Sequence, residues 1–290
     1  MNSCLVVLHY NKVLETIACL TSIRKVGYDP SLIYVYDNGS LVENRDKITA
    51  LFPEFHHYYE EKNYGYSGGF NRALSLVFSK GFDGAFFLTN DTEVISDSLE
   101  LIKNKAVELN CDLVAPLITY KKSPDKIDSI GGFFDKKSCK LYHYKEYALS
   151  PLLNPKMDYV PGTALWIARD LFIALNGMDE GYFTYWEDAD FCFRAYQLGA
   201  RIGRCYEARI LHKVGKTCHS KPLYTAYYFQ RNRIWFCRKY LIGGERQKAV
   251  DLIHKDLKNY ERIWNEKEDK QRLAYLEKVR EELATLCDEI

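Results

Sequence analysis

No charge of one sign dominates this chain: Lys and Arg number 40 against 39 Asp and Glu over 290 residues, a formal net charge of +1. A global field that would draw in nucleic acid is therefore missing, and no nucleic-acid partner is expected. No CxxC pair occurs among the nine cysteines, at Cys4, Cys19, Cys111, Cys139, Cys192, Cys205, Cys218, Cys237 and Cys287. Their odd number and apolar settings read as reduced, mostly buried thiols of a cytoplasmic protein, which excludes a disulfide framework. No run approaches the ~20 apolar residues of a membrane span. The opening "MNSCLVVLHYN" has no basic region, and its apolar run is too short for a signal peptide. Internal repeats and low-complexity segments are absent. So are a GxGxxG after the first strand and a P-loop, which removes two phosphate-binding signatures.

What is present is a chain long enough for one large domain plus an appendage. Aromatics are plentiful, and Tyr is the commonest of them at 23. Tyr suits sugar and nucleotide sites but also fills cores, so composition does not choose between them. The first part alternates short β-rich runs with helical spacing. It predicts a strand over 4–10, a helix over 14–26, a strand over 32–36 and a helix over 43–51. A strand over 57–59, a helix over 70–80 and a strand over 84–88 follow. This is the pattern of βαβ units and a mostly parallel sheet. After about residue 113 the pattern loosens. Residues 120–158 read as loops and short antiparallel pieces, with a turn at Gly131-Gly132. Residues 159–169 read as a strand or a strand-to-helix passage. From 224 onward the chain reads as helix, broken at Gly243-Gly244.

In such sheets ligands bind beyond the carboxyl ends of the strands. The first strand ends in His9-Tyr10-Asn11, and His9 and Asn11 are candidate contacts for a nucleotide sugar. The second ends in "DNGS" at 37–40. Asp37 there can accept a hydrogen bond from a base imide or a ribose hydroxyl, or can simply close an Asx turn. The third leads into "NYGYSGGFNRAL" at 63–74, whose small residues let backbone approach a ligand at a helix N-terminus. A tight turn is an equal reading of it. The fourth runs into "TNDTEV" at 89–94, where Asp91 sits at a rim suited to a divalent cation. Mg²⁺ or Mn²⁺ bound with a nucleotide needs one or two protein carboxylates, since phosphate and water supply the other oxygens. A turn or N-cap role for Asp91 stands beside that. "RILHKVGKTCHSK" at 209–221 offers His212 as a metal ligand and Lys213 and Lys216 for a diphosphate.

The stretch "FTYWEDADFCFRAYQLG" at 183–199 puts Glu187, Asp188 and Asp190 at the start of a helix, just after an aromatic cluster. Acids in a first helical turn gain ~0.3–1 kcal/mol from the helix dipole. Three acids exceed what capping needs, and one of them can serve as a catalytic base. Arg194 lies seven residues after Glu187 and is expected to brace the acids by an ion pair. Tyr182, Phe183, Tyr185 and Trp186 are candidate platforms for sugar faces, or core rings.

Taken in this order, these stretches resemble glycosyltransferase family 2, the inverting enzymes with a GT-A fold, and within it a bacterial rhamnosyltransferase-like branch. The resemblance spans roughly 3–216, and "GTALWIARDLFIALNGMDEGYFTYWEDADFCFRAYQLG" at 162–199 is its most specific part. It implies an α/β fold: a Rossmann-like, mostly parallel sheet flanked by helices, with a C-terminal helical extension. The expected domains are a catalytic one over 1–220 and a helical region over 221–290. The resemblance makes Asp188 the catalytic base, and Asp91 and His212 the ligands of Mn²⁺ or Mg²⁺. Asp37 is implied at the nucleotide base, with Asn63, Gly65, Gly69 and Asn71 in the segment wrapping the nucleotide. Asn90, Trp186, Glu187, Lys213 and Lys216 complete the expected donor site. The chain carries Thr89-Asn90-Asp91 where the family has DxD, and Asn176-Gly177-Met178 where Gly-Gly-Phe is commoner.

The implied reaction moves a sugar from dTDP-rhamnose or a UDP-hexose to a hydroxyl of a glycan or lipid-linked acceptor, in bacterial surface polysaccharide synthesis. It is placed in the cytoplasm, at the inner face of the membrane for a lipid-linked acceptor. Two other classes compete. A sugar-nucleotide-forming nucleotidyltransferase would carry a glycine-rich basic loop after the first strand, and "HYNKVLET" has no glycine. A non-catalytic sugar-binding or assembly subunit draws support from the single acid at 89–91. The tail stretch 223–242 interleaves rings with Arg231, Arg233, Arg238 and Lys239. It suits a membrane interface, packing on the catalytic domain, or a homodimer contact.

Overall fold

The computed structural model describes residues 1–148, 150–155, 157–213 and 223–287. The chain forms two compact units. One comprises Met1–Phe133, His143–Phe183 and Glu187–Val214. The other comprises Phe134–Tyr142, Thr184–Trp186 and Gly215–Ile290. The boundary expected near residue 220 falls outside the described residues.

The first unit opens with β1 (Ser3–His9), α1 (Val13–Val26), β2 (Ile33–Asp37), α2 (Val42–Leu51) and β3 (His56–Tyr59). Then come α3 (Gly65–Ser79), β4 (Gly84–Thr89), β5 (Thr92–Val94), α4 (Ser98–Leu109), β6 (Leu113–Tyr120) and β7 (Ser123–Ser129). Its later elements are β8 (Gly132–Asp135), β9 (Lys140–His143), β10 (Asp158–Tyr159), β11 (Ala164–Ala168), α5 (Arg169–Leu175), α6 (Glu187–Gln197) and β12 (Ile202–His212), with β8 and β9 running on into the other unit. The main sheet has the order β3-β2-β1-β4-β11-β6-β12-β5, with β7 paired to β6. Strands β1 to β4 run parallel, as do β6 and β12, while β11 is reversed between β4 and β6.

Burial explains which strand is central. Every residue of β1 is buried, as a strand covered on both faces requires, whereas β3 at the edge is half-exposed. Each fully buried aliphatic side chain there contributes roughly 1.5–3 kcal/mol. Gly84 is needed on β4, because a Cβ would lie 2.4 Å from the Trp166 ring on β11. The βαβ reading of residues 4–88 matches the fold. The loosened stretch does not: "LVAPLITY" forms β6, an eight-residue strand buried over its first seven positions. Gly65, Gly68 and Gly69 lie inside the first turns of α3, so that helix begins five residues earlier than expected.

The other unit holds α7 (Leu223–Tyr240), α8 (Gly243–Glu266) and α9 (Lys270–Cys287). On α7, Ile234, Phe236 and Cys237 are buried, and Arg233 is 1% exposed. Arg233 donates to the Cys139 and Ser138 carbonyls and pairs with Asp256 at 2.7 Å. That part of the aromatic and basic face is used in packing. Among the described residues no helix is long and apolar enough to cross a membrane. Cys4, Cys19, Cys111, Cys139, Cys192, Cys205 and Cys237 are buried free thiols.

Candidate functional site

Register brings the strand ends to one rim. His9 is paired with Asp37, and Leu8 with Thr89. His9 is 1% exposed, with Nδ1 2.7 Å from Thr16 Oγ1. Its Nε2 lies 3.3 Å from Asp37 Oδ2, yet the angles make no hydrogen bond, so both buried atoms are left without one. Burial lowers the His9 pKa, opposed by the Asp37 charge. Asp37 Oδ1 accepts from the Ser40 amide at 2.8 Å, so the side chain closes the Asx turn with one oxygen while Oδ2 faces His9. Asn90 donates to Thr16 Oγ1 at 2.8 Å and so braces α1 against the rim. Asn11, at φ 54°, accepts on its side-chain oxygen from Leu41 N and Asn44 Nδ2, and its backbone N–H donates to Ser40 Oγ. It ties the first two rim loops together.

The glycine-rich segment is fixed by two asparagines. Asn63 Oδ1 accepts from Gly65 N at 2.8 Å, and Asn38 Nδ2 donates to Gly65 O at 2.7 Å. Gly65 has φ +74°, and a Cβ there would meet Phe183 O at 2.4 Å. A Cβ on Gly69 would meet Asn38 Nδ2 at 2.8 Å. Asn71 is engaged elsewhere. Its amide donates to Met178 O at 2.8 Å and accepts from Met178 N at 2.7 Å, clamping the 177–180 turn to α3.

Asp91 lies just past β4. Its Oδ1 accepts from Thr89 Oγ1 at 2.8 Å and faces His212 Nε2 at 3.8 Å, and its Oδ2 lies 3.9 Å from Lys12 Nζ. The Asp91 and His212 side chains are 22% and 18% exposed, so both are reachable from solvent. His212 Nδ1 is 2.8 Å from Asp128 Oδ2. Burial pushes the Asp128 carboxyl up, but the contact and charge of His212, with smaller contributions from Tyr120 and His143, together outweigh it and the net shift is downward. Lys213 N donates to Asp91 O, and its Nζ pairs with Glu15 at 2.8 Å. Lys216 lies outside the described residues. Among the described residues no three His, Cys, Asp or Glu side chains form a ready-made metal site. An oxygen and a nitrogen donor facing each other without a hydrogen bond do fit a Mn²⁺ or Mg²⁺ whose other ligands come from a diphosphate and water.

The acids of α6 divide sharply. Asp190 is 0% exposed and pairs with Arg194 Nε at 2.8 Å. The same guanidinium donates to the Leu175 and Gly177 carbonyls. The expected brace of the acids runs to Asp190, four residues back and one helical turn away. Glu187 is 5% exposed, and its Oε2 has no hydrogen bond. Burial and then the Asp188 charge push its pKa well up. Asp188 is partly open. Its Oδ2 accepts from Gly162 N at 3.0 Å and its Oδ1 from Ala189 N at 2.8 Å. Burial raises its pKa to about 6, against the pull of those amides.

Trp186 is corrected from sugar platform to core ring. It is 1% exposed, with Phe134, Phe229 and Phe236 rings around it, so its faces are closed to a sugar. Tyr182 is likewise buried, at 1%. The backbone leading to the acids is strained: Phe183, Tyr185 and Trp186 all have positive φ, at 62°, 70° and 74°. Such conformations cost on the order of 1–3 kcal/mol each and collect at functional sites.

Gly162-Thr163, just before β11, joins the two groups of acids. Gly162 N reaches Asp188, and Thr163 O accepts from Thr89 N at 3.0 Å and Thr89 Oγ1 at 3.2 Å. Thr89 Oγ1 then reaches Asp91, which faces His212. Asp188, Asp91 and His212 thus belong to one continuous polar chain. Tyr66 OH closes on Gly162 O at 2.5 Å, and burial, then Glu187 and Asp188, raise its pKa. Two concavities, around Ser22, Lys25 and Lys121 and around Arg72, Asn176 and Glu180, contain none of these three residues. Sequence reasoning missed Asn38, Tyr66, Thr163 and Asp128. Asn38 was visible in the quoted "DNGS", but Asp128 carried no signal.

The family model described as "Glycosyl transferase family 2" matches residues 4–175. The chain is 25% identical over 185 residues to the low-salt glycan biosynthesis hexosyltransferase Agl10 of Haloferax volcanii, covering 61% of this chain and 57% of that relative's length. S. aureus TarS, solved in complex with UDP-GlcNAc, aligns with a TM-score of 0.57 at 14% identity, over 87% of this chain and 72% of that one. The Pyrobaculum calidifontis mannosyltransferase PcManGT, solved with GDP-Man and Mn²⁺, aligns with a TM-score of 0.59 at 12% identity, over 98% and 87%. At these identities the likeness to solved structures is one of fold.

Proposed function

The chain belongs to glycosyl transferase family 2 and has the GT-A fold, and from that premise we propose that it is an inverting glycosyltransferase with Asp188 as its base. The observation that carries this is the polar chain from Asp188 through Gly162-Thr163 and Thr89 to Asp91 and His212. It ties a proton acceptor at the start of α6 to a cation-fitting pair at the sheet rim.

Asp188 takes the proton of an acceptor hydroxyl as that oxygen forms its bond to the anomeric carbon. The bond from that carbon to the diphosphate oxygen breaks, and the nucleoside diphosphate leaves with the electron pair. The Gly162 and Ala189 amides orient the Asp188 carboxylate and keep it from being fully neutralised by burial. Asp91 and His212 would hold Mn²⁺ or Mg²⁺, which when bound would offset charge on the diphosphate. Lys12 adds positive charge beside Asp91. Asp37, whose Oδ2 has no hydrogen bond of its own, accepts from a base or ribose. The loop pinned by Asn38 and Asn63 covers the nucleotide. The donor is a nucleoside-diphosphate sugar, dTDP-rhamnose or a UDP-hexose, and the solved neighbours add UDP-GlcNAc and GDP-mannose to the panel. The acceptor is a hydroxyl of a glycan or lipid-linked saccharide. Residues 1–220 form its catalytic part and 221–290 a helical region.

The test is a donor panel with Mn²⁺, read by melting temperature and by donor hydrolysis. A ligand at 100 times its Kd adds ~2.7 kcal/mol of stability, so a true donor registers clearly. One nucleotide sugar should stabilise and turn over, and excess EDTA should stop turnover. A protein that none of the panel stabilises or reacts with would sink the proposal.

A further inference from the structure

His212 engages its two ring nitrogens differently. Nδ1 lies 2.8 Å from Asp128 Oδ2, and Nε2 lies 3.8 Å from Asp91 Oδ1. The two carboxylates meet different nitrogens of one ring, so Asp128 is not a further ligand beside Asp91. The geometry points to Asp128 as a positioning residue: it fixes the tautomer of His212, so that Nε2 presents its lone pair to the divalent cation shared with Asp91. This rests on the cation-dependent reading of Asp91 and His212 given above.

The argument starts from donors and acceptors. A carboxylate carries no hydrogen, so the short contact requires Nδ1 to hold the proton. Neutral imidazole then has a bare Nε2. A bare nitrogen facing a carboxylate oxygen across 3.8 Å is two lone pairs opposed, an arrangement that a cation between them resolves. Metal-binding histidines commonly have their other nitrogen tied to a carboxylate in this way.

Asp128 is itself built in. The β6–β7 ladder pairs Ile118 with Ser129 and then Thr119 with Ile127, so Asp128 is the extra residue of a β-bulge. A bulge breaks the alternation of a strand and re-aims one side chain. The residue is 7% exposed, and the nearby Tyr120 side chain helps to hold its pKa down. The Tyr120 hydroxyl in turn accepts from Lys145 Nζ at 2.8 Å. Burial and the His212 contact limit rotation of the carboxylate.

The experiment uses the full chain, with Mn²⁺ and UDP as probes. Ring ¹⁵N shifts of His212 without metal report the tautomer, and Mn²⁺ titration with UDP reports affinity. The native ring should be protonated at Nδ1. Asp128→Asn should reduce that tautomer and weaken Mn²⁺ by ~10- to 100-fold, while Asp128→Glu should recover much of the loss. Melting curves of each variant identify loss of fold, and the Glu variant keeps the test open if the Asn variant unfolds. A native ring protonated at Nε2, or native-like Mn²⁺ affinity in a folded Asp128→Asn, overturns the inference. A native protein that binds no Mn²⁺ at all instead overturns the metal reading on which it rests.

Discussion

At the sheet rim, Asp91 lies between Lys12 and His212, at 3.9 and 3.8 Å. At the start of α6, Asp188 is held by backbone amides, from Gly162 at 3.0 Å and Ala189 at 2.8 Å. The rim gathers cationic and metal-ligating groups around its carboxylate, which is what a diphosphate and its cation need. The helix start combines burial with neutral donors, which leaves a carboxyl pKa of about 6. Such a group is ionised at neutral pH and still basic enough to take a proton. On the proposed reading, one site serves fixed charge and the other a moving proton.

The sharpest way to break that contrast is Asp188→Asn. Transfer should fall by roughly 10²–10⁴-fold, with donor affinity nearly unchanged, as read by kcat and by nucleotide-sugar titration. Stability should move the other way. The folded pKa is raised from 3.8 to about 6, so between those values the native state holds a proton that the unfolded chain has lost. That contribution is present at low pH and disappears as pH rises through about 6. Above pH 7 the Asn variant should therefore melt a few degrees higher, on the order of 2–4 °C per kcal/mol recovered. The same pKa gives native kcat an acid limb, with a tenfold loss per pH unit below about 6. A flat profile from pH 5 to 8 would remove Asp188 as the base.

Asp190→Asn tests the contrast within α6 itself. The carboxylate is 0% exposed and paired with Arg194, so its loss leaves a guanidinium partly uncompensated. About 3 kcal/mol of stability should go, measured by urea unfolding, with kcat of the folded fraction little changed. Asp91→Asn tests the rim. Mn²⁺ stimulation should vanish and transfer should drop by on the order of 100-fold, with the α6 acid limb of the pH profile retained. Metal stimulation surviving in that variant would place the cation elsewhere.

Much of the rim could be read from residue patterns, because buried strands of β-branched and aromatic residues end where polar residues begin. Asp37 and Asp91 stand at such changes. The three α6 acids were legible as a cluster but not by role. Helical geometry holds the missing information: Glu187 and Asp190 are three apart and share a face, and both are buried. Asp188 is two residues from Asp190, about 200° around the helix, and points elsewhere. The Arg194 pairing followed the same rule at a spacing of four. Strand β6 hid because Pro116 and Thr119 interrupt its apolar run. Asp128 was invisible, since a bulge defeats the period-two signal by which strand residues are assigned to a face.

The smallest expected effect separates resemblance from geometry at Asn71. The resemblance puts this side chain in the segment around the nucleotide. The structure has its amide exchanging two hydrogen bonds with the Met178 backbone and a third, at 3.2 Å, with Glu180 Oε1. Gly177 fits beneath it because a Cβ there would lie 2.4 Å from Asn71 Oδ1. A clamp of this kind should contribute about 1–2 kcal/mol through the bonds it satisfies. Asn71→Ala should then lower the melting temperature by several degrees and leave nucleotide affinity within about twofold, read by titration of the same donor. Affinity falling tenfold with stability unchanged would return Asn71 to the ligand. It would also show that the rim extends along α3, past the two asparagines that pin its first turn.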